Sequence, residues 1–245
     1  MTDEYENAMH GGGMPEDEAA AALQEEDPIR KLQREILDAA LPHICFEGWT
    51  RDVLARAAAD LGYPEAEAER AFPRGPVDAI LAHAAIADAD MEAEMQTLDL
   101  ADMRTRDKIA IAIRVRLESQ MANRDAIAKG MRFLADPRYA ADGAKSLAET
   151  VDTVWRIAGD TSTDFNYYTK RGLLAGVYSA TLVYWLNDNS EDQRKTWEFL
   201  NGRIADILRF GQATAGLGKT ADRLPNPFRL CGGRKRRWRE GPVHY

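Results

Sequence analysis

The stretch "GWTRDVLARAAADLGYPEAEAERAFPRG", residues 48–75, decides the fold. Gly48 makes a turn, and Thr50 is placed to cap a helix that runs to Leu61 and stops at Gly62. Pro64 to Ala71 reads as a short second helix, and Phe72-Pro73-Arg74-Gly75-Pro76 breaks it. Small Ala58 and Gly62 suit the close helix crossing of a helix-turn-helix. In front of this pair, Ile29, Leu32, Ile36, Leu37 and Ala40 recur at helical spacing, and Leu41-Pro42 is expected to end that helix.

Behind it, Pro76 starts a helix through Ile80, Ala84 and Ile86 to about Met95. Asp99–Ser119, with Ile109, Ile113 and Leu117, is amphipathic, and residues 123–135 and 142–158 add two more helices around Asp136-Pro137. Thr163–Leu186 is a long helix of about 36 Å at helical rise. Ser190, a candidate N-cap, starts another to about Gly211. No segment sustains strand alternation, and no repeat of 20–50 residues recurs. The expected fold class is all-α. Residues 1–27 are an acidic disordered tail, 28–98 a helix-turn-helix-like head, 99–211 a helical-bundle body, and 212–245 a basic tail.

Composition limits the function classes. The net charge of −8 hides an uneven distribution. Residues 1–28 carry acids and no Lys or Arg, whereas 219–245 carry eight bases and two acids. The acidic start argues against a transit peptide, and no apolar run is long enough to span a bilayer. Two distant cysteines, Cys45 and Cys231, suit a reducing compartment. The expected location is the bacterial cytoplasm, peripheral to the inner membrane.

The order of "GWT", "LARAAADLG" and "AFPRG" resembles the head of TetR-family repressors. Reading DNA requires a basic face, because phosphate neutralisation supplies most of the affinity. The helix in the reading position offers Glu65, Glu67 and Glu69, with Arg70 its single base. The head is therefore expected to serve packing or protein contact, with no nucleic-acid partner. Catalytic signatures such as GxSxG, HExxH, GxGxxG, the P-loop and CxxC are missing from the sequence, so no enzyme, metal or cofactor is expected. His83, alone on an apolar helix, reads as a core residue.

Two stretches point to surfaces. The segment "RLPNPFRLCGGRKRRWRE" mixes Phe228, Leu230 and Trp238 with Arg234, Lys235, Arg236 and Arg237, a composition suited to an anionic membrane. Pro225, Pro227 and Gly232-Gly233 interrupt it, so the anchor is irregular. In "AGDTSTDFNYYTKRG", residues 158–172, helix capping by Asp160, Thr161, Ser162 or Thr163 explains the hydroxyls but not the adjacent tyrosines. The apolar register Leu174, Val177, Tyr178, Thr181 and Trp185 admits one tyrosine face only. One of Tyr167 and Tyr168 is thus expected at the surface beside Asp164, Asn166 and Arg171, the composition of an interface hot spot.

Over about residues 29–210, "ALPHICFEGWT", "AFPRGPVDAI", "TVDTVWRIAGDTSTDFNYYTKRGLLAGVYSATLVYWL" and "TWEFLNGRI" together resemble the ubiquinone-biosynthesis accessory lipid-binding proteins, the ninth of the coenzyme Q set. That resemblance implies a TetR-like fold, a non-catalytic role, and an isoprenoid lipid or quinone intermediate bound in the body. It implies presentation of that lipid to a di-iron hydroxylase, through a patch matching Tyr167 and Tyr168 with Asp164, Asn166 and Arg171. It also implies a homodimer through Thr163–Leu186 and Ser190–Gly211. Candidate lining residues for the lipid are Trp155, Leu173, Val177, Tyr178 and Trp185. The alternative is a TetR-type regulator responding to a small apolar ligand.

Overall fold

The computed structural model describes residues 27–160 and 165–221, with side chains for 27–160 and 168–207. Among the described residues the regular structure is all helical. The order is α1 (Pro28–Glu47), α2 (Arg51–Asp60), α3 (Glu65–Ala71), α4 (Pro76–Thr97), α5 (Thr105–Ser119), α6 (Arg124–Leu134), α7 (Ala140–Ile157), α8 (Phe165–Asn187) and α9 (Arg194–Ala221). The chain divides into two compact units, Met1–Leu200 and Asn201–Tyr245. The first carries the head and the helices around the cavity.

Asp27 caps α1 by accepting from the Ile29 amide at 3.0 Å, and Pro28 sits in the first turn, where no amide is needed. Pro42 does not end the helix as the sequence suggested; α1 continues to Glu47. The reason lies on its buried side. Leu41 and Ile44 join the core cluster with α2, and Lys129 of α6 donates to the carbonyls of Ile44, Cys45 and Phe46 at 3.2, 2.6 and 3.1 Å. Those contacts offset the roughly 3 kcal/mol that an internal proline costs.

The Thr50 hydroxyl caps α2, accepting from the Val53 amide at 3.2 Å. Close crossing falls to Ala57 and Ala58, which are buried among Ile36, Leu37, Val53 and Phe72. Gly62 has a different task. Its φ is +80°, and among the described residues nothing lies within 4 Å of where a Cβ would be, so it is there for the left-handed turn that ends α2. The head is fastened to the helices behind it. Trp49 Nε1 donates to the Ala126 carbonyl of α6 at 2.9 Å, and Arg34 of α1 grips Asp90 of α4 through two bonds of 3.0 and 2.8 Å.

The helix expected from Asp99 begins at Thr105, because Asp99 is taken up in a turn, its carboxylate accepting from the Ala101 amide. In α8 the register Leu174, Val177, Tyr178, Thr181 and Trp185 is buried throughout. After α8, Asp188 organises the next turn. Its carboxylate accepts from the Ser190 amide at 2.9 Å and from the amide and hydroxyl of Thr196 at 2.9 and 2.7 Å. Burial pushes this carboxyl up, but those bonds outweigh it and hold it well below the usual carboxylate range. Ser190, the expected cap, accepts from the Lys195 amide through its hydroxyl at 3.2 Å and from the Gln193 amide through its carbonyl at 3.1 Å. The last helix runs to Ala221 rather than Gly211, since no proline interrupts it before Pro225.

Candidate functional site

Helices α4 to α8 enclose a cavity of about 330 Å³. Its walls are mostly apolar: Ala84 and Ala87 from α4, Ile127 and Met131 from α6, Leu147 from α7 and Leu182 from α8. Gly130 allows α6 to approach α4 here. A Cβ at Gly130 would stand 3.3 Å from Ile80 Cγ2.

Against these walls stands a buried polar group drawn from four helices. Arg116 of α5 donates through Nε to Asp88 of α4 at 2.5 Å, through Nη1 to the Tyr178 oxygen of α8 at 2.6 Å, and through Nη2 to the Ala84 carbonyl at 3.3 Å. The second oxygen of Asp88 accepts from the Thr150 hydroxyl of α7 at 2.8 Å. Burial opposes the charge on Arg116, and Tyr178 and Asp88 more than restore it. Burial also holds the Tyr178 phenol protonated, raising its pKa. His83 completes the group. Burial first, and the Arg116 charge second, lower its pKa to about 4 against the opposing effect of the Gln120 hydrogen bond, so the imidazole is neutral at physiological pH. Its Nε2 is buried with no hydrogen-bond partner.

Of the five residues read from sequence as lipid-lining, Tyr178 lines this cavity. Val177 and Trp185 are buried in the α8 core stripe. Trp155 stacks under the Lys170 ammonium, 5.6 Å from the ring centroid, and Leu173 is half-buried; neither lines the cavity. The difference has a physical origin. Bulky apolar residues fill a core, whereas the cavity exists where Ala and Gly leave room. Arg116 and Asp88 went unread and His83 was read only as a core residue, although a signal existed for the first two. Arg116 stands in the buried stripe of Ile109, Ala112, Ile113 and Leu117, and Asp88 beside Ala87 and Met91, so each puts a charge on an apolar face.

The interface candidates lie at a second place, a groove between α7 and α8. Tyr168 is 75% exposed there and lines the groove with Arg171, Gly172, Leu147 and Val151. Arg171 Nε donates to Asp152 at 2.6 Å. Asp164, and the side chains of Asn166 and Tyr167, lie outside the described residues, as do Phe228, Leu230, Arg234, Lys235, Arg236, Arg237 and Trp238. Among the described residues no three His, Cys, Asp or Glu side chains come together as metal ligands, and no helix is long and apolar enough to cross a membrane.

A three-helix head joined to a cavity-bearing helical body defines a protein of the TetR-like fold. The crystal structure of the TetR transcriptional regulator from Nitrosomonas europaea matches with a TM-score of 0.59 over 73% of this chain and 97% of that one. At 22% identity this is a likeness of fold alone. The chain belongs to the COQ9 family: the COQ9 family model matches residues 140–211. The mitochondrial ubiquinone biosynthesis protein COQ9 of Bos taurus is 30% identical over 215 residues, which span 85% of this chain and 67% of that protein. Its counterpart in Rattus norvegicus is 29% identical over 215 residues, spanning 85% and 69%.

Proposed function

We propose that this chain is a non-catalytic accessory protein of ubiquinone biosynthesis that binds isoprenoid quinone intermediates and presents them to a di-iron hydroxylase. The observation that carries this reading is the apolar cavity between α4 and α8. Burying apolar ligand surface contributes about 25 cal/mol per Å², so a guest filling such a space binds without any covalent chemistry. Membership of a family whose relatives are named ubiquinone biosynthesis proteins supplies the pathway.

The groove at Tyr168 and Arg171 is the proposed hydroxylase surface. An exposed tyrosine above a floor of Leu147 and Val151 has the make-up of an interface anchor. The basic, aromatic segment around Phe228 to Trp238 is the proposed contact with an anionic membrane. Native mass spectrometry of the purified chain, with organic extraction of what it carries, tests the lipid reading. A co-purifying polyprenyl quinone intermediate is the expected result, and a folded protein that stays empty after incubation with such lipids rejects it. Replacing both Tyr167 and Tyr168 by Ala is expected to abolish hydroxylase co-purification while leaving the helical circular dichroism unchanged.

A further inference from the structure

A hydrocarbon guest needs no polar wall, yet this cavity has one. Its volume of about 330 Å³ is about twice the roughly 150 Å³ that holds benzene, enough for a substituted ring and a few further carbons. A polyprenyl chain of many units does not fit and must leave through the mouth. What the wall asks for can be counted. Arg116 has five N–H groups, and Asp88, Tyr178 and the Ala84 carbonyl engage one each, so one hydrogen on each terminal nitrogen is left over. The neutral imidazole of His83 has one nitrogen that donates and one that accepts. Its Nε2 is buried in the cavity wall with no partner, and a neutral ring that keeps its proton on Nδ1 presents a bare lone pair there. In that form the wall combines an acceptor that lacks a donor with donors that lack an acceptor, which is costly to leave unfilled. Charge narrows the guest further. Asp88 already balances Arg116, so a carboxylate would bring an uncompensated charge into a buried site, whereas a neutral molecule does not.

We propose that the cavity takes the ligand ring first: a neutral hydroxylated ring enters, its hydroxyl donates to Nε2 of His83, an adjacent carbonyl or ether oxygen accepts from Arg116, and the apolar tail trails out of the mouth. This rests on the lipid-binding reading above and adds an orientation and a headgroup class to it. The phenol or quinol stays shielded from water until it is handed on, and the tail is what a partner or membrane meets first.

The test uses the delipidated full-length chain and two probes, a 2-methoxyphenol carrying one geranyl chain and its O-methyl ether, titrated calorimetrically. The phenol is expected to bind about tenfold more tightly than the ether, the worth of one buried hydrogen bond. In His83→Leu the ratio is expected to fall to about one. Leu147→Trp, which fills the cavity, is expected to abolish binding of both probes. Equal binding of phenol and ether to the unaltered chain, lost in Leu147→Trp, overturns the ring-first orientation and leaves the lipid cavity standing. Binding that Leu147→Trp does not disturb, or no binding at all, overturns the cavity reading and this proposal with it. Should His83→Leu fail to fold, ¹⁵N spectra of the unaltered chain serve instead. The Nε2 resonance shifts upfield with the phenol and stays in place with the ether if the proposal holds, and moves equally with both if it does not.

Discussion

His83 makes the fold sensitive to acid. In the unfolded chain it takes up a proton near its ordinary value of 6.5, whereas in the folded chain burial and Arg116 hold it at about 4. Between these values the unfolded state binds the extra proton, so lowering the pH favours unfolding. The stabilisation is complete above about pH 6.5 and is lost as the pH falls toward 4, by roughly 3 kcal/mol across that window. Urea midpoints of the native chain and His83→Gln, compared at pH 7.5 and 4.5, check this. The native chain is expected to lose more than the variant, and parallel losses would assign the acid sensitivity elsewhere. The neighbouring ion pair answers a different question. Removing Arg116 alone, as Arg116→Met, strands Asp88 in the interior and is expected to cost about 3–5 kcal/mol in urea unfolding. The double change Arg116→Met/Asp88→Leu is expected to recover most of that, because the penalty belongs to the unpaired charge.

At the scale of elements, the legible parts were those governed by local chemistry. Thr50, Gly62 and the α8 apolar register announce themselves, because a cap, a left-handed turn and a 3.6-residue period each depend on a few neighbours in sequence. The continuation of α1 through Pro42 was not legible, because the Lys129 ammonium that satisfies its last carbonyls arrives from α6. The cavity was hidden for the same reason. It is a volume left between five helices, and no single helix carries its outline. Gly176 and Ala180 are exposed along α8, with Val183 49% exposed, and among the described residues nothing outside this helix's own backbone lies within 4 Å of a Cβ placed at Gly176. A side chain there leaves the subunit intact, so Gly176→Arg isolates the proposed homodimer contact. Sedimentation velocity is expected to show the native chain as a dimer and the variant as a folded monomer. A variant that still dimerises would move the interface off this face.

For the whole molecule, the question is whether a TetR-like fold keeps a TetR-like task. The head is intact as architecture: α1, α2 and α3 share one core through Leu37, Val53, Ala58 and Ala71, and Trp49 ties it to α6 one turn before Gly130 at the cavity wall. Its surface chemistry is another matter. On α3, Glu65 and Glu69 are exposed, and Arg70 is already paired with Glu67 of the same helix at 2.8 Å. In a major groove this helix would set carboxylates against phosphates, with its single base neutralised from within. Affinity for DNA grows with the number of phosphates neutralised and falls linearly with the logarithm of salt. The chain ended at residue 218, which lacks the basic segment, is therefore expected to show no retention of a fluorescent duplex by anisotropy at 50 mM salt. A salt-dependent complex formed by that shortened chain, and lost in an Arg70→Ala variant of it, would return the head to a DNA-reading role and make the cavity its effector site.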